Sequence, residues 1–257
     1  MANHHGDFIW YELLTTDTVA AAAFYGSVIG WERKSSAQTG MDYTQFSMGG
    51  TYVAGMMALP PSETDIGMRP GWLGYIGVDD VDAAVGKVTA GGGSVFMPAQ
   101  DIPGVGRFAM LADPQGVAFY VMRGSVEGTS TSFSATDAGH CSWNELATSD
   151  QPAALSFYTT QFGWATGESM NMGDMGNYQF VTQHGKPIGG IMTRRPDGPP
   201  PAWTFYFRVA DIEGAAERVR AGGGQIMHGP AEVPGGDSIV IGADPQGALF
   251  ALVGKTR

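Results

Sequence analysis

The chain has a single cysteine, Cys141, in 257 residues, which excludes an intramolecular disulfide and leaves stability to a packed core. Positive charge is scarce. Fourteen Lys and Arg stand against 25 Asp and Glu, a formal net charge of −11, which argues against holding nucleic-acid phosphates or an anionic membrane by simple electrostatics. No run of about 18 apolar residues occurs, so no transmembrane helix is expected. The opening MANHHGDF has no apolar stretch that could serve as a secretory signal, and a cytoplasmic protein is the expectation. Five histidines are present without HxH or HxxxH spacing, so the usual sequence sign of a histidine metal site is missing. What is there is ordinary globular material, 43% hydrophobic and 11% aromatic. That suffices for a sizeable core in one large domain or in two of about 130 residues.

Internal similarity decides between these. WYELLTTDTVAAAAFYGSVIGW at 10–31 and WNELATSDQPAALSFYTTQFGW at 143–164 share eleven of 22 positions without a gap. The match resumes as Trp72, Val78 and Asp80 face Trp203, Val209 and Asp211. The stretch Ala90-Gly91-Gly92-Gly93 then faces Ala221-Gly222-Gly223-Gly224, and Asp113-Pro114-Gln115-Gly116 faces Asp244-Pro245-Gln246-Gly247. A complete domain has been duplicated. The expected limits are 6–123 and 139–254, with the Ser, Thr and Gly-rich segment 124–138 read as a flexible linker.

Each unit reads as strand, helix and three strands, twice over. Phe8 to Leu14 is a strand, Thr16-Asp17 an N-cap, and Ala21, Phe24, Tyr25 and Val28 the inner face of a helix stopped by Gly30. Short β-like runs follow at Trp31 to Ser35, Tyr43 to Met48 and Tyr52 to Met57. A second strand, Trp72 to Val78, leads into a helix from Val81 to Thr89 that ends at the triple glycine, and three strands close the unit around the DPQG turn. The Gly-rich segments GMMALPP and GGIMTRRPDGPPP lack the following helix of a phosphate-binding motif and are read as mobile loops. In the second of them Arg194 and Arg195 are a solvated pair or an anion contact.

The runs ELLTTDTVAAAAFYGSVIGW, YIGVDDVDAAVGKVTAGGG and ADPQGVAFYV, each present twice, resemble the vicinal oxygen chelate superfamily of glyoxalases, bleomycin-resistance proteins and extradiol dioxygenases, in particular its bacterial tandem-domain members. The resemblance covers the chain apart from the linker. It implies an α+β fold in which paired βαβββ modules form a curved, cup-like mixed sheet with helices on the outside. It also implies a cup that commonly holds a divalent metal chelating adjacent substrate oxygens.

Carried over by spacing, the family's ligand positions fall on Trp10, Leu73 and Tyr120 in the first half and on Trp143, Thr204 and Ala251 in the second. Indole has no free lone pair, Leu and Ala have no donor atom, and neutral Thr and Tyr oxygens are poor ligands for a transition metal. No cofactor is therefore expected, although a divalent metal is what the resemblance would allow. Strand alternation puts Glu12 and Glu145 on the same side as Trp10 and Trp143. These carboxylates are structural, ligand-binding or general-base groups, or relocated metal ligands. The remaining cup residues expected are Tyr75, Tyr120 and Met122 in the first half and Thr204, Tyr206 and Arg208 in the second, an apolar and aromatic lining suited to a flat or hydrophobic small molecule. His4 and His5 are assigned to a frayed N-terminus. His140, His184 and His228 are read as surface or structural, and Cys141 as buried.

Three functions remain open from sequence: a glyoxalase-like or bleomycin-resistance-like protein binding a hydrophobic or aromatic small molecule; a lyase, isomerase or dioxygenase-like enzyme using Glu12 or Glu145; and a structural protein with vestigial cups. The expected partner is a small molecule, with no nucleic acid and no membrane, and the expected state a monomer with pseudo-twofold symmetry. Whether each cup forms within one half or across the two is left open.

Overall fold

The computed structural model describes residues 3–36, 43–60 and 68–256. The first half runs β1 (Phe8–Thr15), α1 (Thr18–Ile29), β2 (Glu32–Ser36), β3 (Tyr43–Met48), β4 (Thr51–Ala58), β5 (Gly71–Gly77), α2 (Val81–Ala90), β6 (Ser94–Ile102), β7 (Gly106–Ala112) and β8 (Ala118–Gly124). The second half repeats it as β9 (Cys141–Thr148), α3 (Gln151–Phe162), β10 (Ala165–Asn171), β11 (Asn177–Gln183), β12 (Lys186–Thr193), β13 (Ala202–Val209), α4 (Ile212–Ala221), β14 (Gln225–Val233), β15 (Asp237–Ala243) and β16 (Leu249–Gly254). Each half gives an eight-stranded mixed sheet, in the orders β2-β3-β4-β1-β5-β8-β7-β6 and β10-β11-β12-β9-β13-β16-β15-β14. The sheets are open, with edge strands at both ends. The pairings β1 with β4 and β5 with β8 are parallel, and the hairpin partners are antiparallel. The tandem α+β architecture expected from the sequence is present.

Local chemistry explains the helices. Asp17 caps α1 by accepting from the backbone N–H of Val19 and Ala20, and Asp80, Asp150 and Asp211 cap α2, α3 and α4 in the same way. Gly30 ends α1 at φ 94°, a left-handed conformation that costs glycine little. The triple glycine after α2 has two separate reasons. Gly92 sits at φ 88°, and a Cβ on Gly93 would stand 2.5 Å from the Ala112 carbonyl oxygen. Among the described residues, no helix is long and apolar enough to cross a membrane.

By residue contacts the chain divides differently from its sequence halves. One compact unit gathers the chain up to Ile9, Gly74–Ser130 and Trp143–Trp203; the other gathers Trp10–Leu73, Thr131–Ser142 and the chain from Thr204 on. Each unit thus combines the first module of one half with the second module of the other. In the first unit the buried Asp113 of the DPQG turn accepts from its own turn at Gln115 and Val117 and from the Tyr158 hydroxyl at 3.1 Å, which in turn accepts from Trp203 Nε1. The second unit repeats this with Asp244, Tyr25 and Trp72. The strongest repeats in the sequence are therefore the polar bolts of a core assembled from both halves, with Phe119 against α3 in one unit and Phe250 against Phe24 of α1 in the other.

Three sequence expectations need correction. The N-terminal segment is not frayed from Asn3 on: Gly6 N–H donates to Gly77 O at 2.8 Å, Trp164 Nε1 donates to Gly6 O at 2.7 Å, and His5 Nε2 lies 3.0 Å from Gln161 O. The linker is not a free tether either. Ser130 bonds Asn3 and Ile9 in the first unit, while in the second Ser132 and Ser134 bond Cys141 and Gly139 N–H donates to Arg208 O. Neither segment has periodicity, so pairing with distant strand ends leaves no mark on its own sequence. Lastly, the start of each Gly-rich segment is strand: Gly55 to Ala58 belong to β4 and Gly189 to Thr193 to β12. Residues 61–67, which include the end of the first segment, lie outside the described residues.

Candidate functional site

Alternation along β9 buries Ser142, Asn144, Leu146 and Thr148 and leaves Trp143 and Glu145 half-buried on the other face. Two strands away on β11, Tyr178 completes a chain: Trp143 Nε1 donates to the Tyr178 hydroxyl at 2.7 Å, and that hydroxyl donates to Glu145 Oε2 at 2.9 Å. The intervening strand β12 pairs Gly190 with Glu145, and a Cβ on Gly190 would run into the Tyr178 ring. Glycine there is what lets the phenol lie across the strand and reach the carboxylate. Burial, and then the adjacent Glu145 carboxylate, push the Tyr178 phenol well above its ordinary pKa, so it stays protonated and donates.

The other unit holds the counterpart. Trp10 Nε1 donates to the Tyr43 hydroxyl at 2.9 Å, and Glu12 pairs in register with Gly55. A Cβ on Gly55 would meet the Tyr43 hydroxyl and stand 3.0 Å from Trp10 Nε1. Burial distinguishes the two carboxylates: Glu12 is 3% exposed, whereas Glu145 is half-buried. Sequence reasoning found the Trp and Glu positions but missed Tyr43 and Tyr178. Their signal is a tyrosine twelve residues before a strand glycine in both halves, Tyr43 to Gly55 and Tyr178 to Gly190. An insertion between the halves shifts this pair out of the register of the flanking motifs.

The other expected residues separate. Tyr75 and Tyr120, partners across β5 and β8, are buried and stacked on each other with centroids 4.3 Å apart, and Phe108 lies beside Tyr120. In the second half the same register pairs Tyr206 with Ala251, so that stack has no equivalent. Thr204 is half-buried on β13, and Arg208 is committed to an ion pair, its Nη2 2.9 Å from Asp237 Oδ2 with Lys255 on the other oxygen. Burial alone would raise the Asp237 carboxyl, but the bonds from Arg208 and Lys255 outweigh it and hold it below its ordinary value. A depressed carboxylate contributes stability above its unfolded pKa that is lost as pH falls through the folded one. Asp237→Asn should therefore cost about 1–2 kcal/mol at neutral pH, with the difference from the parent disappearing on acidification below the ordinary carboxylate range. Urea denaturation at several pH values checks this; a pH-independent difference would contradict it.

The family's ligand positions do not fit a metal. The indole nitrogens of Trp10 and Trp143 are spent as donors to tyrosines, Tyr120 is buried and stacked on Tyr75, Thr204 offers only a neutral hydroxyl, and Leu73 and Ala251 have no donor atom. Among the described residues no group of three His, Cys, Asp or Glu stands so as to hold a metal ion. The buried His140 ring bonds Thr131 O, a structural role, and Cys141 is buried. In the unit of the Tyr178 relay a shallow groove is lined by Asp174, Gly176, Thr193, Arg194, Arg195 and Asp197, and none of the three relay residues lines it.

The family model described as the Glyoxalase/Bleomycin resistance protein/Dioxygenase superfamily matches residues 8–121 and again 138–252. "Putative glyoxylase CFP32" of Mycobacterium tuberculosis is 37% identical over 246 residues, covering 95% of this chain and 93% of its own. The anthracycline biosynthesis protein DnrV of Streptomyces peucetius is 32% identical over 258 residues, covering 95% and 91%. Among solved structures, the Mn(II)-bound glyoxalase from Novosphingobium aromaticivorans matches at TM-score 0.63 and 18% identity, covering 100% of this chain and 84% of its own. The 2,2',3-trihydroxybiphenyl 1,2-dioxygenase from Sphingomonas wittichii matches at 0.68 and 14%, covering 99% and 91%. At such identities the two structures establish the fold alone.

Proposed function

From the premise that the chain belongs to the glyoxalase/bleomycin resistance/dioxygenase superfamily, we propose that it binds a hydrophobic or aromatic small molecule against Trp143, with Glu145 accepting a hydrogen bond, and without a metal at the family's usual positions. The observation that carries this reading is the Trp-to-Tyr-to-Glu relay over a strand glycine, built around Trp143 and with its parts repeated around Trp10. Hydrogen bonding fixes the half-buried indole in orientation beside Phe180, with ring centroids 5.7 Å apart, giving an apolar aromatic surface, and the adjacent carboxylate supplies the polar contact that gives such pockets specificity. The greater exposure of Glu145 favours the second-half relay over that of Glu12. The relative DnrV is named for anthracycline biosynthesis, and that name supports an aromatic ligand for this chain.

Glu145→Gln should weaken binding of a phenolic probe such as 2-naphthol by about 1–3 kcal/mol, the typical loss of a charge-assisted buried hydrogen bond. Isothermal titration calorimetry reads it, and unchanged affinity would remove the carboxylate from the site. Protein purified without an affinity tag should carry no stoichiometric Zn, Ni, Mn or Fe by elemental analysis. One equivalent of metal, lost on substituting Glu12 or Glu145, would contradict the metal-free reading. A second reading, favoured by the phenol held on the half-buried Glu145 and by the glyoxylase name of CFP32, makes this carboxylate a general base. It expects turnover to collapse in Glu145→Gln while binding changes little.

A further inference from the structure

Strand registers define the company that Glu145 keeps. Met170 of β10 and Met192 of β12 both pair with Tyr178, and Phe180 pairs with Gly190, the β12 partner of Glu145. Paired residues share a face of the sheet, so the half-buried Trp143, Phe180, Met170 and Met192 lie on the same side as the Tyr178 to Glu145 bond. The rings meet at steep angles, Trp143 to Phe180 at 77° and Tyr178 to Phe180 at 64°. Of these six side chains only Glu145 carries a charge. Duplication supplies the comparison. In the first half Gln45 takes the place of Phe180, opposite Gly55, and Lys34 of β2 pairs with Gln45, its Nζ 5.9 Å from the centre of the Tyr52 ring. Where the first half has Lys34, the second has a bulge at Gly167 and Glu168. The one basic residue on β9 to β12 is Lys186, four residues and about 13 Å along the strand from Gly190. Arg194, just past β12, turns its Nη1 to the carbonyl oxygens of its own loop at Arg195 and Gly198.

The first copy thus supplies an ammonium of its own on this face, and the second supplies aromatic rings, thioethers and a carboxylate. We propose that the second-half relay takes an aromatic ammonium, its cationic nitrogen on Glu145 and its ring against Trp143; the inference rests on the aromatic-ligand reading of that relay. An ammonium is attracted by the carboxylate and by aromatic π faces together, whereas an alcohol or phenol gains a hydrogen bond alone. A carboxylate has about four lone-pair sites, so the bond from Tyr178 leaves capacity for a second donor. Half-burial makes the attraction stronger than it is in bulk water, and a formal charge of −11 favours the approach of cations over anions.

The test compares 2-naphthylmethylammonium with its neutral isostere 2-naphthylmethanol by calorimetry on the full chain at low salt. The parent is expected to bind the ammonium at least tenfold more tightly than the alcohol, and Glu145→Gln should bring that ratio to about one. Tyr178→Phe keeps the carboxylate and removes a competing donor, so there the ratio should stay at ten or rise. Where Glu145→Gln binds neither ligand, Tyr178→Phe decides: a ratio near one, or binding of neither ligand there, overturns the proposal. Equal affinity for the two ligands in the parent overturns the cation site while leaving the aromatic reading intact. Failure of both to bind the parent overturns both readings. A tenfold ratio that survives Glu145→Gln places the cation away from Glu145 and overturns the proposal as well.

Discussion

Asp113→Ala and Asp244→Ala are each expected to destabilise the protein by about 3–5 kcal/mol, because each leaves a buried tyrosine hydroxyl and two backbone N–H groups of a tight turn without their acceptor, at roughly 1–3 kcal/mol for each unpaired group. Tyr158→Phe and Tyr25→Phe remove one hydroxyl each and should cost less, since the turn keeps its backbone bonds. Urea midpoints and slopes measure the series, and a loss below about 1 kcal/mol for either alanine variant would show that the network is not what holds the modules together. Burial raises both carboxyls above the ordinary value. For a raised acid the linked contribution is fully present below the unfolded pKa and is lost as pH rises through the folded one. Acidification therefore does not undo these two sites, the opposite of Asp237.

Gly189→Ala should be strongly destabilising, whereas Gly190→Ala should act on binding. A Cβ on Gly189 would run into the backbone carbonyl oxygen of Asn144, its partner in the parallel β9 to β12 pair, so β12 itself must shift. That costs on the order of 2–4 kcal/mol, the upper range of overpacking. A Cβ on Gly190 meets the Tyr178 ring, which can swing aside. The expected result is a smaller stability loss, about 1 kcal/mol, together with a tenfold or larger loss of 2-naphthol affinity as the relay comes apart. Thermal melts and calorimetry on both variants separate the effects; the reverse ranking would mean that Tyr178 is not held over Gly190 as described.

Much of the fold was legible because duplication marks the positions that hold it. Trp72 and Trp203, Tyr25 and Tyr158, and the DPQG turns repeat because both units need the same buried triad. The helix caps Asp17, Asp80, Asp150 and Asp211 were equally plain, since capping is local chemistry. The pairing of first and second modules across the halves was not legible, because an aromatic core residue such as Phe119 or Phe250 looks the same whichever helix it meets. At the candidate site alternation correctly placed Trp143 beside Glu145, but hydrogen bonding between strands β9 and β11 has no signature along either one. Arg208 shows the converse: facing the right way by alternation, it is occupied by Asp237, a partner nearly thirty residues on.

The relay's claim to be a binding site is tested most directly by calorimetric titration of 2-naphthol into the parent protein and into Trp143→Ala. The relay predicts saturable binding of one molecule per chain in the parent, because Glu12 is sealed and Glu145 is not, and at least a tenfold weaker interaction once the indole is removed. No saturable binding to the parent, or equal affinity in the two proteins, would contradict it.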